Sequence, residues 1–74
     1  MSNKTIFLKP DQEFMTLQAL LQVSDEIPTG GMAKVYLMEN VVKVNGEEEN
    51  RRGRKLYLGD VISLANATFV IKKP

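Results

Sequence analysis

The dipeptide Asn45-Gly46 constrains the fold of this chain more than any other feature. It follows the alternating run Val42-Lys43-Val44 and precedes three consecutive glutamates, residues 47–49. A two-residue hairpin turn of type I′ needs a positive φ at both central residues, and Asn-Gly satisfies this most readily. The pattern therefore predicts a β-hairpin, with Val42 and Val44 facing the core and Lys43 facing solvent.

The apolar spacing before this hairpin is helical. Thr16 is placed to cap a first helix, in which Leu17, Leu20 and Leu21 fall on one face. Proline disfavours the α conformation in the residue before it, so Pro28 bars this helix from continuing.

A second helix is predicted over residues 32–39, opened by Thr29-Gly30-Gly31. Asn40 is expected to stop this helix in the left-handed conformation, because asparagine tolerates positive φ better than most residues.

Short strands account for the rest of the chain. Ile6-Phe7-Leu8, closed by Pro10, predicts an edge strand. After the hairpin, further strands are predicted over residues 55–58, 61–64 and 68–71, with turns at Gly59-Asp60 and around Asn66. We therefore expect one α+β domain over residues 1–74, with a helix pair packed on a small antiparallel sheet. The predicted core comprises Leu17, Leu20, Leu21, Ala33, Leu37, Val42, Val44, Leu58, Ile62, Leu64 and Phe69.

The composition argues against catalysis. The 74 residues include no cysteine and no histidine, which removes the commonest metal ligands and the commonest general base. The serines have no visible activating partner. We expect no enzyme, no cofactor, no metal and no small-molecule substrate. No apolar run reaches the ~20 residues of a membrane helix, so no membrane contact is expected. The oligomeric state is left open.

The basic segment, residues 51–55, is the best functional candidate. It holds Arg51, Arg52, Arg54 and Lys55 in a chain whose net charge is only +1. Arginine forks onto phosphate oxygens, and Gly53 lets the backbone bend or lie close to a ligand. The glutamates of residues 47–49 are expected to be solvated and to offset this charge in part. The alternative to a binding surface is a solvated basic loop that only keeps the protein soluble. The arginines are expected to add little stability.

The glycines that open the second helix are a second candidate. A glycine-flanked helix start offers free N–H groups and a positive dipole end, so the backbone of Gly30 and Gly31 is a candidate phosphate contact with Lys34 one turn inside. The spacing is not that of a P-loop. A tight turn between helices is the simpler interpretation.

The order of these motifs resembles the S4 RNA-binding domain. The resemblance is carried by the helix-pair leucines, by residues 40–46 (Asn-Val-Val-Lys-Val-Asn-Gly) and by residues 58–62 (Leu-Gly-Asp-Val-Ile), and it spans about residues 16–64. Within the family, residues 29–34 and 49–56 are most similar to the small stand-alone bacterial YaaA-like proteins.

This resemblance implies a two-helix αL motif on a small sheet and a bacterial, cytoplasmic, non-enzymatic binder of structured RNA, often ribosomal. The RNA-binding positions it implies are Lys34, Lys43, Arg51, Arg52, Arg54 and Lys55. Two positions depart from the family pattern. Thr16-Leu17-Gln18 stands where Arg-Leu-Asp is common, and Thr29-Gly30 stands where Ser-Arg is common.

Two other classes remain open. A protein-interaction module would use the same basic segment to dock an acidic partner. A β-grasp sulfur carrier would need a C-terminal Gly-Gly, but the sequence ends in Lys72-Lys73-Pro74. Tyr36 and Tyr57 are expected at the edge of the core, so base stacking is not predicted.

Overall fold

The computed structural model describes residues 2–65 and 67–74. The predicted turn at Asn66 lies outside them. The elements in chain order are β1 (Ser2–Phe7), β2 (Phe14–Thr16), α1 (Leu17–Val23), a 3-10 turn (Gly30–Met32), α2 (Ala33–Glu39), β3 (Lys43–Val44), β4 (Glu47–Glu48), β5 (Lys55–Tyr57), β6 (Val61–Ser63) and β7 (Ala67–Lys72). The α+β class with a helix pair is confirmed.

The sheet is mixed rather than wholly antiparallel. Over the described residues, one sheet has the order β1-β7-β6-β3-β4, and a second sheet pairs β2 with β5. β1 lies at an edge, as predicted, but runs parallel to β7, whereas β7, β6, β3 and β4 pair antiparallel. Parallel neighbours need a long connection between them, and here every element from β2 to β6 lies in the connection between β1 and β7.

The predicted hairpin is present. Asn45 has φ 53° and Gly46 has φ 87°, the two positive values that a type I′ turn requires. Val44 pairs with Glu47 and Lys43 with Glu48. The Asn45 side chain also accepts a hydrogen bond from the Val61 N–H and donates one to Asp60, which fixes the hairpin against the start of β6.

Side chains and local backbone geometry set the helix ends. The Thr16 hydroxyl caps α1 as predicted, accepting the Ala19 N–H at 3.2 Å. The left-handed stop occurs after α1, at Asp25 (φ 63°), where the N–H groups of Asp25 and Glu26 bond to Gln22 and Leu21. The prediction for Asn40 is wrong: its φ is −131°, and its side-chain amide donates to the Tyr36 carbonyl instead. In the described ranges no helix is long and apolar enough to cross a membrane.

The core lies between the helix pair and one face of the larger sheet. Every predicted core residue is buried except Leu58, which is 59 % exposed because it stands at the turn that follows β5. The core also includes six residues that were not predicted: Leu8, Met15, Ile27, Leu56, Ala67 and Ile71.

The strand after the basic segment, β5, is not part of the antiparallel meander that the sequence predicted. β5 pairs with β2, so Phe14 lies opposite Tyr57 and Thr16 opposite Lys55. Met15 and Leu56 are the buried pair of this two-stranded sheet. The pairing brings the basic segment to the beginning of α1.

Candidate nucleic-acid interface

The basic segment is a turn attached to the first helix. The Arg54 N–H donates to the Arg51 carbonyl at 3.1 Å, which closes the turn. The carbonyls of Arg54 and Arg52 accept the N–H groups of Leu17 and Gln18 at 2.9 and 3.0 Å. These are the first amides of α1, which have no acceptor within the helix. The segment therefore caps the helix and has a fixed position beside the helix pair.

A buried carboxylate holds two of the arginines. The Glu49 side chain is only 7 % exposed. It accepts Arg51 Nε and Nη2, both at 3.0 Å, Arg54 Nη1 at 2.7 Å and the Arg51 N–H at 3.2 Å. These bonds, led by the Arg51 guanidinium, lower the pKa of Glu49 from its ordinary 4.5 to about 2, although burial alone would raise it. The expectation of a solvated glutamate is therefore wrong for Glu49, while Glu47 and Glu48 are exposed.

The four cations of the segment differ in their exposure and in whether they are bonded to Glu49. Arg54 is bonded to Glu49 and its side chain is 34 % exposed, whereas Arg51 makes the same pairing and remains 72 % exposed. Arg52 and Lys55 are both exposed. Removing Arg54 would leave the buried Glu49 carboxylate with one guanidinium fewer. We therefore now expect Arg54 to contribute to stability, in contrast to the exposed Arg52.

Aromatic rings adjoin the cations, which the sequence did not predict. Tyr57 is 48 % exposed and lines a depression of about 400 Å³ with Arg51, Gly53, Arg54 and Lys55, here called the basic groove. The Tyr57 and Phe14 ring centroids are 5.8 Å apart with the planes tilted by 50°. The Lys55 ammonium lies 5.0 Å from the Phe14 centroid, within cation–π range. The placement of Tyr57 at the edge of the core was wrong.

The remaining predicted cations lie elsewhere. Lys43 is exposed and pairs with Glu48 and Ser63 in the sheet. It lines a different depression, with Glu39 and Ser63 among its walls. Lys34 is exposed on α2. Neither residue lines the basic groove, so one continuous surface that joins them to the arginines stays a prediction.

The two glycines of the helix opening differ in their surroundings. Gly30 is half-buried, and a Cβ there would collide with the Gln18 side-chain amide, so the 3-10 turn lies close to α1. Gly31 is exposed, and the nearest atom to a Cβ would be the Thr29 hydroxyl oxygen at 3.8 Å. A larger residue at position 30 would have to displace the flexible Gln18 side chain, and phosphate contact by either backbone stays a prediction.

The position of Glu49 could have been read from the hairpin register. A two-residue turn at Asn45-Gly46 places Glu49 opposite Val42, a predicted core residue, and the Glu49 N–H does donate to the Val42 carbonyl at 2.8 Å.

The chemistry that this surface offers is charge and stacking. Within residues 2–65 and 67–74, no three His, Cys, Asp or Glu side chains converge to hold a metal ion.

This chain has an α+β fold with a helix pair and a cationic turn attached to the first helix. Its sequence matches the family model described as the S4 domain over residues 8–72. The chain belongs to the S4 domain family, and the resemblance is confirmed over a longer stretch than residues 16–64. It is also 54 % identical, over 54 residues, to a Bacillus subtilis (strain 168) protein named "Probable ribosome maturation protein RlbA". That alignment covers 73 % of this chain and 76 % of the Bacillus protein.

Proposed function

We propose that this chain is a non-enzymatic RNA-binding protein of the bacterial cytoplasm that recognises structured RNA. Ribosomal RNA, free or in an assembling subunit, is the proposed target. Membership of the S4 domain family supports this, as does the similarity to a protein whose name refers to ribosome maturation. The basic segment with its groove is the proposed contact surface, and Lys34 and Lys43 are proposed further contacts.

The observation that carries the proposal is the attachment of the basic segment to α1 and to Glu49. A loop of four free cations would lose conformational entropy on binding, whereas a loop already held in place loses much less. Six hydrogen bonds hold this one: two from the amides of α1 and four to the Glu49 carboxylate. Pre-organised cations favour a ligand with fixed phosphate positions, which describes folded RNA.

The cations have separate roles in this proposal. Arg52 and Lys55 are exposed and available to phosphate oxygens. Arg51 is bonded to Glu49 through Nε and Nη2, but its side chain is 72 % exposed and so remains accessible to a phosphate. Arg54 is the more enclosed member of the pair and mainly holds the turn in shape.

The test compares two double variants with the same change in charge. Arg52→Ala with Lys55→Ala removes two exposed cations from the segment. Lys72→Ala with Lys73→Ala removes two exposed cations at the end of β7 and beyond it. Affinity for purified ribosomal RNA is measured across a salt series for both proteins and the wild type. Each cation that no longer meets a phosphate lowers the log–log salt slope by about 0.7–0.9, so the slope of the first variant should fall by roughly 1.4–1.8 and its binding should be much weaker.

The control variant should keep nearly the wild-type slope and affinity. Thermal melts of all three proteins separate a weakened binding surface from a damaged fold. Equal affinities for the segment variant and the wild type, at equal melting temperatures, would refute this site and favour a protein-interaction module that docks an acidic partner.

A further inference from the structure

We propose that Tyr57 is a stacking platform for an unpaired base of the bound RNA, with the neighbouring cations holding the phosphate of that nucleotide. The inference rests on the proposed function and specifies its ligand. The basic groove would then recognise an extruded or single-stranded nucleotide within a folded RNA, in addition to the phosphate backbone.

The two-stranded sheet presents Tyr57 outward. Successive residues of a strand point to opposite faces, and Met15 and Leu56 occupy the buried face. Phe14, Lys55 and Tyr57 therefore share the outer face. The Phe14 ring lies against the Tyr57 ring in a tilted pair, with centroids 5.8 Å apart, and so limits how far the tyrosine can rotate. A half-exposed ring in a restricted orientation offers a surface on which a base can stack.

Charge surrounds this ring on the side of the turn. Arg51, Arg54 and Lys55 line the same depression as Tyr57. A base that stacks on the tyrosine would bring its own phosphate to this depression, where the exposed Arg51 and Lys55 are available as partners while Arg54 holds the turn.

Gly53 leaves the wall of the groove open. Apart from Gly53 and its two chain neighbours, no described residue has a heavy atom within 4 Å of the position that a Gly53 Cβ would occupy, and this glycine does not have a positive φ. The backbone of the free protein therefore does not require glycine here. A ligand that approaches closely would require it, because a side chain would then occupy the space of the nucleotide.

The other tyrosine provides a matched control. Tyr36 is half-buried, packs against the core and donates its hydroxyl to Glu26 at 3.3 Å. The chain has two tyrosines and no tryptophan, so its intrinsic emission comes from these two rings. Tyr36→Phe leaves Tyr57 as the only emitter, and Tyr57→Phe leaves Tyr36. Both changes keep the ring and are compatible with the fold.

The experiment adds purified ribosomal RNA, or a perfectly paired RNA duplex, to each single-tyrosine protein and records tyrosine emission. The two proteins see the same RNA absorbance, so any difference between them reports on the ring. Ribosomal RNA should quench the Tyr36→Phe protein strongly and the Tyr57→Phe protein little. The paired duplex should quench both equally.

Affinity provides an independent measurement. Replacing Tyr57 with leucine should weaken binding to ribosomal RNA roughly 5- to 150-fold, the range expected for the loss of one stacked base. The salt slope should stay unchanged, because every phosphate keeps its cation. Gly53→Ala should also weaken binding while the melting temperature stays the same.

The outcomes separate the two proposals. Failure of the wild type to bind ribosomal RNA would refute the proposed function and this inference together. Tight binding, with equal quenching of both single-tyrosine proteins and an unchanged affinity for Tyr57→Leu, would overturn only the stacking role and leave a purely electrostatic site. Should Tyr57→Leu fail to fold, the comparison of the two phenylalanine variants still decides the question.

Discussion

Two turns lie a few residues apart in this chain, and different forces hold them. The Asn45-Gly46 turn is determined by its own backbone, since both residues have positive φ and a two-residue connection requires it. The turn closed by Arg51 and Arg54 contains Gly53, whose φ is not positive. Its shape depends on Glu49 and on the first amides of α1.

The difference shows that the position of the cations in this protein depends on tertiary contacts rather than on local sequence. The hairpin turn has a strong local determinant, because Asn and Gly adopt positive φ more readily than other residues. The basic segment needs the buried Glu49 carboxylate, which follows β4, and the first amides of α1, which come from a part of the chain more than thirty residues earlier. A change at one turn should therefore act on stability through the backbone, and a change at the other through the side-chain hydrogen bonds that it removes.

The largest effect is expected from Glu49→Ala. This change removes the acceptor of two guanidinium groups and one backbone N–H, and charged hydrogen bonds contribute about 1.5–3 kcal/mol each. Both arginines can turn to solvent, so we expect a net loss of about 2 kcal/mol in the free energy of unfolding, measured by urea denaturation. Glu48→Ala, at an exposed position one residue earlier, should change this free energy little. Equal effects of the two variants would show that Glu49 does not anchor the turn.

Acid should reduce the same contribution. The pKa of Glu49 is lowered by folding, so its contribution to stability is complete above the ordinary pKa of 4.5 and is lost as the pH falls toward about 2. The wild type should therefore lose stability between these pH values faster than Glu49→Gln, which has no carboxylate to protonate. Thermal melts of both proteins across this pH range test the prediction, and parallel curves would contradict it.

Gly46→Val should have the next largest effect. A β-branched residue resists the left-handed conformation, at a cost of about 1–2 kcal/mol. Gly53→Val is the matched change in the other turn, where φ is not positive and a Cβ meets no described atom within 4 Å outside the neighbouring residues in the chain. Thermal melts should show a clear loss for the first variant and a change within about 0.5 kcal/mol for the second. A larger loss for Gly53→Val than for Gly46→Val would contradict the conclusion that backbone conformation determines the first turn and side-chain hydrogen bonds the second.

The smallest effect concerns the exposed glutamates. Glu47→Gln with Glu48→Gln removes two negative charges near the basic segment without touching the Glu49 pair. We expect affinity for ribosomal RNA to rise roughly twofold to fivefold at low salt, because exposed charges interact weakly. The gain should vanish at high salt, where such charges are screened. A fall in affinity would contradict the proposed position of the RNA.

Locally encoded features could be predicted from the sequence. The hairpin at Asn45-Gly46, the Thr16 cap and most of the core follow from turn chemistry and periodicity. Features that depend on distant partners could not. Nothing in Phe14-Met15-Thr16 indicates a strand until β5 pairs with it, and that pairing exposes Tyr57. The hydrogen bonding between the basic segment and the first amides of α1 is likewise absent from any local pattern.

The parallel pairing of β1 with β7 has a consequence for how the chain folds. Every residue pair between these strands encloses nearly all of the described chain, from Ser2 with Ala67 to Phe7 with Lys72. Closing a loop of that size costs entropy before any favourable interaction compensates for it, so long-range strand pairing is slow. We expect the helix pair and the hairpin to assemble first and β1 to dock last. During synthesis, β1 would then stay unpaired until β7 has been made.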